Sequence, residues 1–445
     1  GSVMAIGEQP IKSFISSKLM VEYTVSEMLS NIIWGGIESL SSIKCSGNWM
    51  WAPKVDGEGG HLIDAVKELS NILIKLEIAL DGGKDSLSMC ARKNNKNIIG
   101  PRTLVLSGYT TFNNYKKLIT PYLKSPNSIL IQIHWTSGWP GLGASSLAQA
   151  FGKIGNKINQ QLKWDTIKNS FKLINELNNK QLILSGHDIS DGGLITTIIE
   201  MSMAGNIGVN LKIKNSFNSI EYLFSENPGL IIEVKNDENT IKNVTNYFAK
   251  YDITYEYIGH TNTSKNFTIT QDNEIILNEK LNKLRLLWSR QSLNMEKLQT
   301  TNFCVKQEEE SIINQIEEPY SLGKKIKIAN TRFETKNTVF IVREEGSNGD
   351  REMAAVFYYN NFNVVDCCMN DIIHNPNIID IANCLAFVGG FSFSDSCGAA
   401  KGWAKTILLN NQIKEAFQRF RNDKKKISLG VCNGCQLLCR LGWIE

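Results

Sequence analysis

The chain has 445 residues, 42% of them hydrophobic and 21% charged. At ~150 residues per domain that length suggests about three domains. The composition excludes a disordered tail, a collagen-like fibre and a coiled coil. No apolar run reaches the ~18 residues of a membrane span, and residues 1–12 lack the basic-then-apolar order of a signal peptide. Net charge is +4, from 48 basic and 44 acidic residues. Basic clusters such as Lys424-Lys425-Lys426 are short and isolated, so neither nucleic acid nor membrane is an expected partner. Ten cysteines are too sparse for a disulfide scaffold and fit reduced thiols in the cytoplasm.

Three regions separate along the chain. Residues 1–125 read as mixed α/β, with an amphipathic helix over 21–34, another over 65–80 and a strand over 103–109. Residues 126–289 open with an apolar strand over 128–133. A helix follows over 145–154, then a strand over 182–185 and a helix over 194–204. Residues 290–335 are charged and irregular, with Glu308-Glu309-Glu310, and read as a linker. Residues 336–445 restart at a β-branched strand over 338–342. Further strands are expected over 363–366, 385–388 and 427–431 with helices between, which argues for a parallel, doubly wound sheet.

The strongest local signal is Gly430-Val431-Cys432-Asn433-Gly434, between a strand and a helix that leaves with Gln436-Leu437-Leu438. This is a nucleophile-elbow pattern with cysteine in the serine position. Glycines allow the crowded turn, and the thiol is set at a helix N-terminus, which favours thiolate. A redox pair of Cys432 with Cys435, a zinc site that also uses Cys439, and a plain buried thiol remain alternatives. A nucleophilic cysteine needs a base, and none of the five histidines follows Cys432. His374, the one in the same region, reads as a solvated loop residue. Gly389-Gly390, just after a strand, offers backbone N–H groups for an oxyanion, with Asn433 N–H as the second donor.

A second candidate is Ser185-Gly186-His187-Asp188-Ile189-Ser190-Asp191-Gly192-Gly193, joining a strand to a helix. Carboxylates beside a hydroxyl at a glycine-rich turn suit Mg²⁺ and phosphate, and an N-cap with turn carboxylates is the alternative. Asp81-Gly82-Gly83-Lys84 reads as a similar loop whose lysine could meet an anion. Glu27 and Asn31, four apart, share one helix face and are both oxygen donors.

These motifs together resemble the phosphoribosylformylglycinamidine synthase family in its large single-chain form. The resemblance is carried by Met4-Ala5-Ile6-Gly7-Glu8, Cys45 to Trp51, Asp81 to Met89, His187 to Gly193, Arg343 to Glu352, Gly389 to Ser392 and Gly430 to Gln436. It implies the second half of a duplicated, AIR-synthetase-like ATP-binding fold, followed by an incomplete flavodoxin-like glutaminase domain. Residues 1–125 would be the N-terminal α/β subdomain of that half, truncated at its start, and 126–289 its α+β subdomain. The implied reaction converts formylglycinamide ribonucleotide to formylglycinamidine ribonucleotide with ATP and glutamine, a step of purine synthesis. Cys432 would attack glutamine, with Gly390 and Asn433 as oxyanion donors. Glu27, Asn31 and Asp188 would hold Mg²⁺, Ser190 would touch ATP or ADP, and the full-length enzyme would be a monomer. The family's triad His and Glu lie beyond residue 445, so the chain is expected to be an inactive fragment. A nucleotide-binding scaffold with a vestigial thiol is the alternative.

Overall fold

The computed structural model describes residues 1–94, 96–112, 114–137, 141–155, 161–214, 218–314, 337–395 and 397–444. They form two compact units, Gly1–Glu318 and Pro319–Glu445.

In the first unit, a four-stranded sheet runs in the order Ser2–Glu8, Thr103–Thr111, Lys44–Met50, Ala79–Ser86. Ser2–Glu8 pairs antiparallel with Thr103–Thr111, from Ser2 opposite Thr111 to Glu8 opposite Val105. The helix Ser17–Ile32 lies against this sheet and also touches the helix Glu58–Leu76 and the strand Ser185–Ile189. Its Met20, Val21, Val25, Met28 and Leu29 are all fully buried. It is therefore buried nearly all round, and the expected polar face of 21–34 is absent because three neighbours enclose it.

Two expectations in this region change. The helix expected over 65–80 ends at Leu76, where Glu77 turns left-handed and the chain enters a strand. Asp81 to Ser86, read as an anion-binding loop, belongs to that strand and pairs in parallel with Lys44–Met50. Lys84 is thus an exposed strand residue, because pairing to an existing sheet overrides the low β-propensity of Gly82-Gly83.

A seven-stranded sheet follows, with Ile129–His134 in its interior between Gly229–Val234 and Tyr255–Asn262. Leu130, Ile131 and Ile133 are fully buried, as a central strand packed on both faces requires. Glu233 is a fully buried carboxylate in this sheet. It accepts from Lys124 N (2.9 Å), Ser125 N (3.0 Å), Ser128 Oγ (2.6 Å) and Ser185 Oγ (2.7 Å), which pins the 124–128 turn.

The charged stretch from 290 begins as helix. Leu281–Glu296 and Asn302–Ile313 pack together and bury Leu293 and Val305, so Glu308-Glu309-Glu310 is a solvated helix face. Residues 315–335 of the expected linker lie outside the described residues. Among the described residues, no helix is long and apolar enough to cross a membrane.

The second unit is the expected parallel sheet. Its order is Asn363–Cys368, Thr338–Arg343, Cys384–Phe387, Ile427–Gly430, with every pair parallel. Numbered from Thr338–Arg343, that is 2-1-3-4, the flavodoxin order, whose ligand crevice opens beyond the carboxyl ends of strands 1 and 3. Phe387 lies in the core, its ring 6.0 Å from Trp403, 6.2 Å from Phe417 and 6.1 Å from Trp443.

Candidate functional site

The site of the second unit is built where three strands end. Ile427–Gly430 continues to Val431, whose N–H donates to Phe387 O at 3.0 Å, and then the chain reverses. Cys432 makes the turn at φ 52° and ψ −108°, a conformation that cysteine rarely adopts. The helix Asn433–Arg440 starts at once, with Gln436 N donating to Cys432 O at 3.0 Å. The two flanking glycines are sterically required. A Cβ on Gly430 would lie 2.6 Å from Gly434 O, and one on Gly434 would lie 2.2 Å from Phe387 O. The helix start thus rests against strand backbone, which sets the thiol beyond the sheet edge, where Cys432 is exposed.

Facing the elbow is the turn after Cys384–Phe387. A Cβ on Gly389 would sit 3.4 Å from Cys432 Cβ, so the turn passes directly beside the thiol. Gly389–Gly390 pairs antiparallel with Ser347–Asn348, from the loop after Thr338–Arg343. Gly390 has φ 105°, and a Cβ there would meet Asn348 N at 2.7 Å. Cys432, Asn433 and Gly389-Gly390, separate in sequence, are therefore brought together. His374 is not. It ends the helix Met369–His374 and shares a hydrogen bond between its Nδ1 and Asn370 O at 2.7 Å. The strand before that helix is three positions from Ile427–Gly430, roughly 14 Å across the sheet.

In the first unit, Glu27 and Ser190 line one small cavity with Gln9, Tyr23 and Glu226. Glu27 accepts from Glu8 N at 2.7 Å. Burial pushes its carboxyl up to about 7, against the hydrogen bonds from Glu8 and Gln9, with Asp191 and Asp188 adding to the rise. Asp191 is raised by burial and by Glu226, and Glu8 by burial and by Asp191. Asp188 is buried, its Oδ1 is 2.9 Å from His187 Nδ1, and its Oδ2 is buried without a hydrogen-bond partner. Asn31 is exposed, and its amide donates to Ile6 O at 3.2 Å.

Among the described residues, no three His, Cys, Asp or Glu side chains converge to hold a metal ion. That leaves the zinc alternative at Cys432, Cys435 and Cys439 without support. It also means that Glu27 and Asp188 act on each other electrostatically without forming a closed ligand shell.

Sequence reasoning missed Glu226 and Lys12. Glu226 Oε1 accepts from Ser146 N (2.6 Å) and Gly192 N (2.9 Å), and its Oε2 is 2.7 Å from Lys12 Nζ. No local pattern marks either residue, because they are 214 positions apart.

Three family profiles match in order. An FGAR-AT PurM_N-like domain covers residues 1–111, an AIR synthase related protein C-terminal domain 131–272, and a CobB/CobQ-like glutamine amidotransferase domain 336–445. Over its full length the chain is 40% identical to a probable phosphoribosylformylglycinamidine synthase, chloroplastic/mitochondrial, from Arabidopsis thaliana. It is 36% identical over its full length to phosphoribosylformylglycinamidine synthase from Homo sapiens. The chain belongs to the phosphoribosylformylglycinamidine synthase family. It spans 32% of the Arabidopsis relative and 34% of the human one, about a third of either length. In fold, the chain is similar to T. maritima PurL complexed with FGAR, with a TM-score of 0.50 and 12% identity. That match covers 64% of this chain and 45% of the other.

Proposed function

We propose that this chain is the part of a phosphoribosylformylglycinamidine synthase that carries one nucleotide site and the glutamine-cleaving thiol. In this reading the whole enzyme converts formylglycinamide ribonucleotide to formylglycinamidine ribonucleotide in purine synthesis, using ATP and ammonia from glutamine. The observation that carries the proposal is the elbow, with Cys432 held at φ 52° beside the Gly389–Gly390 turn.

The Cys432 thiolate attacks the carboxamide carbon of glutamine, and backbone N–H groups of Gly390 and Asn433 receive the charge on oxygen. The carbon–nitrogen bond breaks, ammonia leaves, and water then releases glutamate from the thioester. The proton transfers need a base, and His374 is too remote to supply one. The 445 residues alone are therefore expected to take up electrophiles at Cys432 without turning over glutamine.

In the first unit, Glu27, Asn31 and Asp188 would hold Mg²⁺, and Ser190 would contact ATP or ADP. The partnerless Asp188 Oδ2 and the carboxyls raised by burial around Glu27 suit a divalent cation. Bound there, magnesium would neutralise nucleotide phosphates. All ten cysteines are free thiols, which fits a reducing compartment, and we take this to be the cytoplasm. The partners in this reading are small molecules, and the full-length enzyme acts as a monomer.

The test is alkylation by the chloroketone analogue of glutamine, mapped by peptide mass spectrometry. Modification of Cys432 at least tenfold over every other thiol, lost in Cys432→Ser, is expected. Indiscriminate labelling would reject the glutaminase reading and favour the scaffold. Separately, Asp188→Asn is expected to weaken Mg²⁺-ADP binding, measured by calorimetry, by tenfold or more. Unchanged affinity would remove Asp188 from the ligand set.

A further inference from the structure

Asn433 is fully buried, although it stands at the first position of its helix. Both ends of its amide are engaged. Oδ1 accepts from Ser392 Oγ at 2.8 Å and from Ser392 N at 3.4 Å. Nδ2 donates to Asp395 Oδ1 at 3.3 Å and to Gln436 Oε1 at 3.2 Å. Gln436 lies on the thiol's own helix, whereas Ser392 and Asp395 belong to the segment that follows Gly389–Gly390. Ser392 is itself buried. A buried amide with four bonds spread over two elements does more than cap a helix, since an exposed Ser or Asp at Cys432 would suffice for that.

The loop it grips takes its shape from its neighbours: Gly389–Gly390 pairs with Ser347–Asn348, and Phe391 N and Phe393 N donate to Gly346 O and Glu345 O, bonds that tie it to the 345–348 loop rather than to the elbow. Gly389 and Gly390 have no side chains to anchor them. Phe393, Ser394 and Asp395 follow at φ 52°, 54° and 50°, three successive residues in the left-handed region. Such a run persists only when surrounding contacts over-determine it. An oxyanion donor, in turn, acts only if it is aimed closely at the developing charge.

We propose that the Asn433 side chain is a positioning residue that clasps the Gly389–Gly390 turn to the elbow. The clasp fixes the separation between two oxyanion donors carried on different elements. This rests on the acyl-transfer reading of Cys432, and it adds a role for a side chain where that reading used only a backbone N–H.

Two electrophiles separate aim from exposure. The chloroketone analogue of glutamine passes through an oxyanion when the thiolate adds to its carbonyl. Iodoacetamide alkylates the same thiol by direct displacement and needs no such donors. In Asn433→Ala, the chloroketone rate at Cys432 is expected to fall about 10- to 100-fold, with the iodoacetamide rate within about twofold of the unmodified chain. Combining Asn433→Asp with Asp395→Asn reverses the polarity of the clasp and keeps its bonds once the Gln436 amide turns over to donate, and it should restore most of the loss. Ser392→Ala removes one partner only and should show the same split on a smaller scale, including if Asn433→Ala fails to fold.

Equal changes in both rates for Ser392→Ala, an unchanged chloroketone rate in a folded Asn433→Ala, or no rescue by the swapped pair would each overturn the clasp. If the unmodified chain does not label selectively at Cys432, the acyl-transfer reading fails first, which is a distinguishable result.

Discussion

Gly434→Val is expected to lower the hydrogen-exchange protection of the strand Cys384–Phe387 by roughly a hundredfold or more. A side chain there starts with a Cβ 2.2 Å from Phe387 O, 2.6 Å from its carbonyl carbon and 2.8 Å from its Cβ. None of these atoms can yield, because the carbonyl is strand backbone and the ring is fully buried among Trp403, Phe417 and Trp443. The helix Asn433–Arg440 must therefore back away from the sheet, and Leu437 and Leu438, now buried, lose their packing. Overpacking of this kind costs about 1–3 kcal/mol, and the lost burial adds to it. A total of about 3 kcal/mol corresponds to the stated loss of protection, at 1.4 kcal/mol per factor of ten. Gly442→Ala is the control, since no atom lies within 4 Å of a Cβ there and only its φ of 67° opposes the change. Equal effects of the two substitutions would refute the steric account.

The second large effect is expected at Lys12. Its ammonium and the Glu226 carboxylate are 2.7 Å apart, with side chains only 2% and 5% exposed. Lys12→Met leaves that carboxylate buried with two backbone N–H donors and no counter-charge. Breaking a buried pair from one side costs about 3–5 kcal/mol. The urea midpoint of the first unit should fall by about 1–3 M if the slope is that of an ordinary domain. Adding Glu226→Gln removes the stranded charge and keeps an acceptor for Ser146 and Gly192, so the double variant should regain more than half of the loss. A double variant as unstable as the single would show that packing around the lysine stem, not charge, dominates.

The elbow was legible because its requirement is local. Gly430 and Gly434 bracket Cys432 within five residues, and the clashes that exclude other side chains lie in the turn and its supporting strand. The strand-turn-helix through Asp188 and Gly193 was legible in kind but not in register: the strand expected over 182–185 runs over Ser185–Ile189, so Asp188 lies in the strand and only Ser190 to Gly192 make the turn. What could not be read depends on contacts far apart in sequence. The exposed strand Ala79–Ser86, with two glycines and three charges, is a strand only because Lys44–Met50 is there to pair with it. Glu308-Glu309-Glu310 looks like solvated linker until Val305 is seen to pack its helix onto Leu281–Glu296. The Asn433 clasp likewise depends on Ser392 and Asp395, 41 and 38 positions away.

The pairing of Ser2–Glu8 has a consequence for how the chain is made. Its partner, Thr103–Thr111, lies about a hundred residues downstream. At the ~5–20 residues per second of synthesis, the first strand waits on the order of 5–20 s before that partner exists. Met4 and Ile6 are solvent-facing even in the finished fold, so the waiting strand presents apolar groups on both faces. In the second unit, neighbouring strands are separated by far shorter stretches, with Val339 opposite Cys384 and Cys384 opposite Ile427. Of these pairings it is Ser2–Glu8 that stands without its partner longest during synthesis, and a chaperone that holds exposed apolar strands would act there.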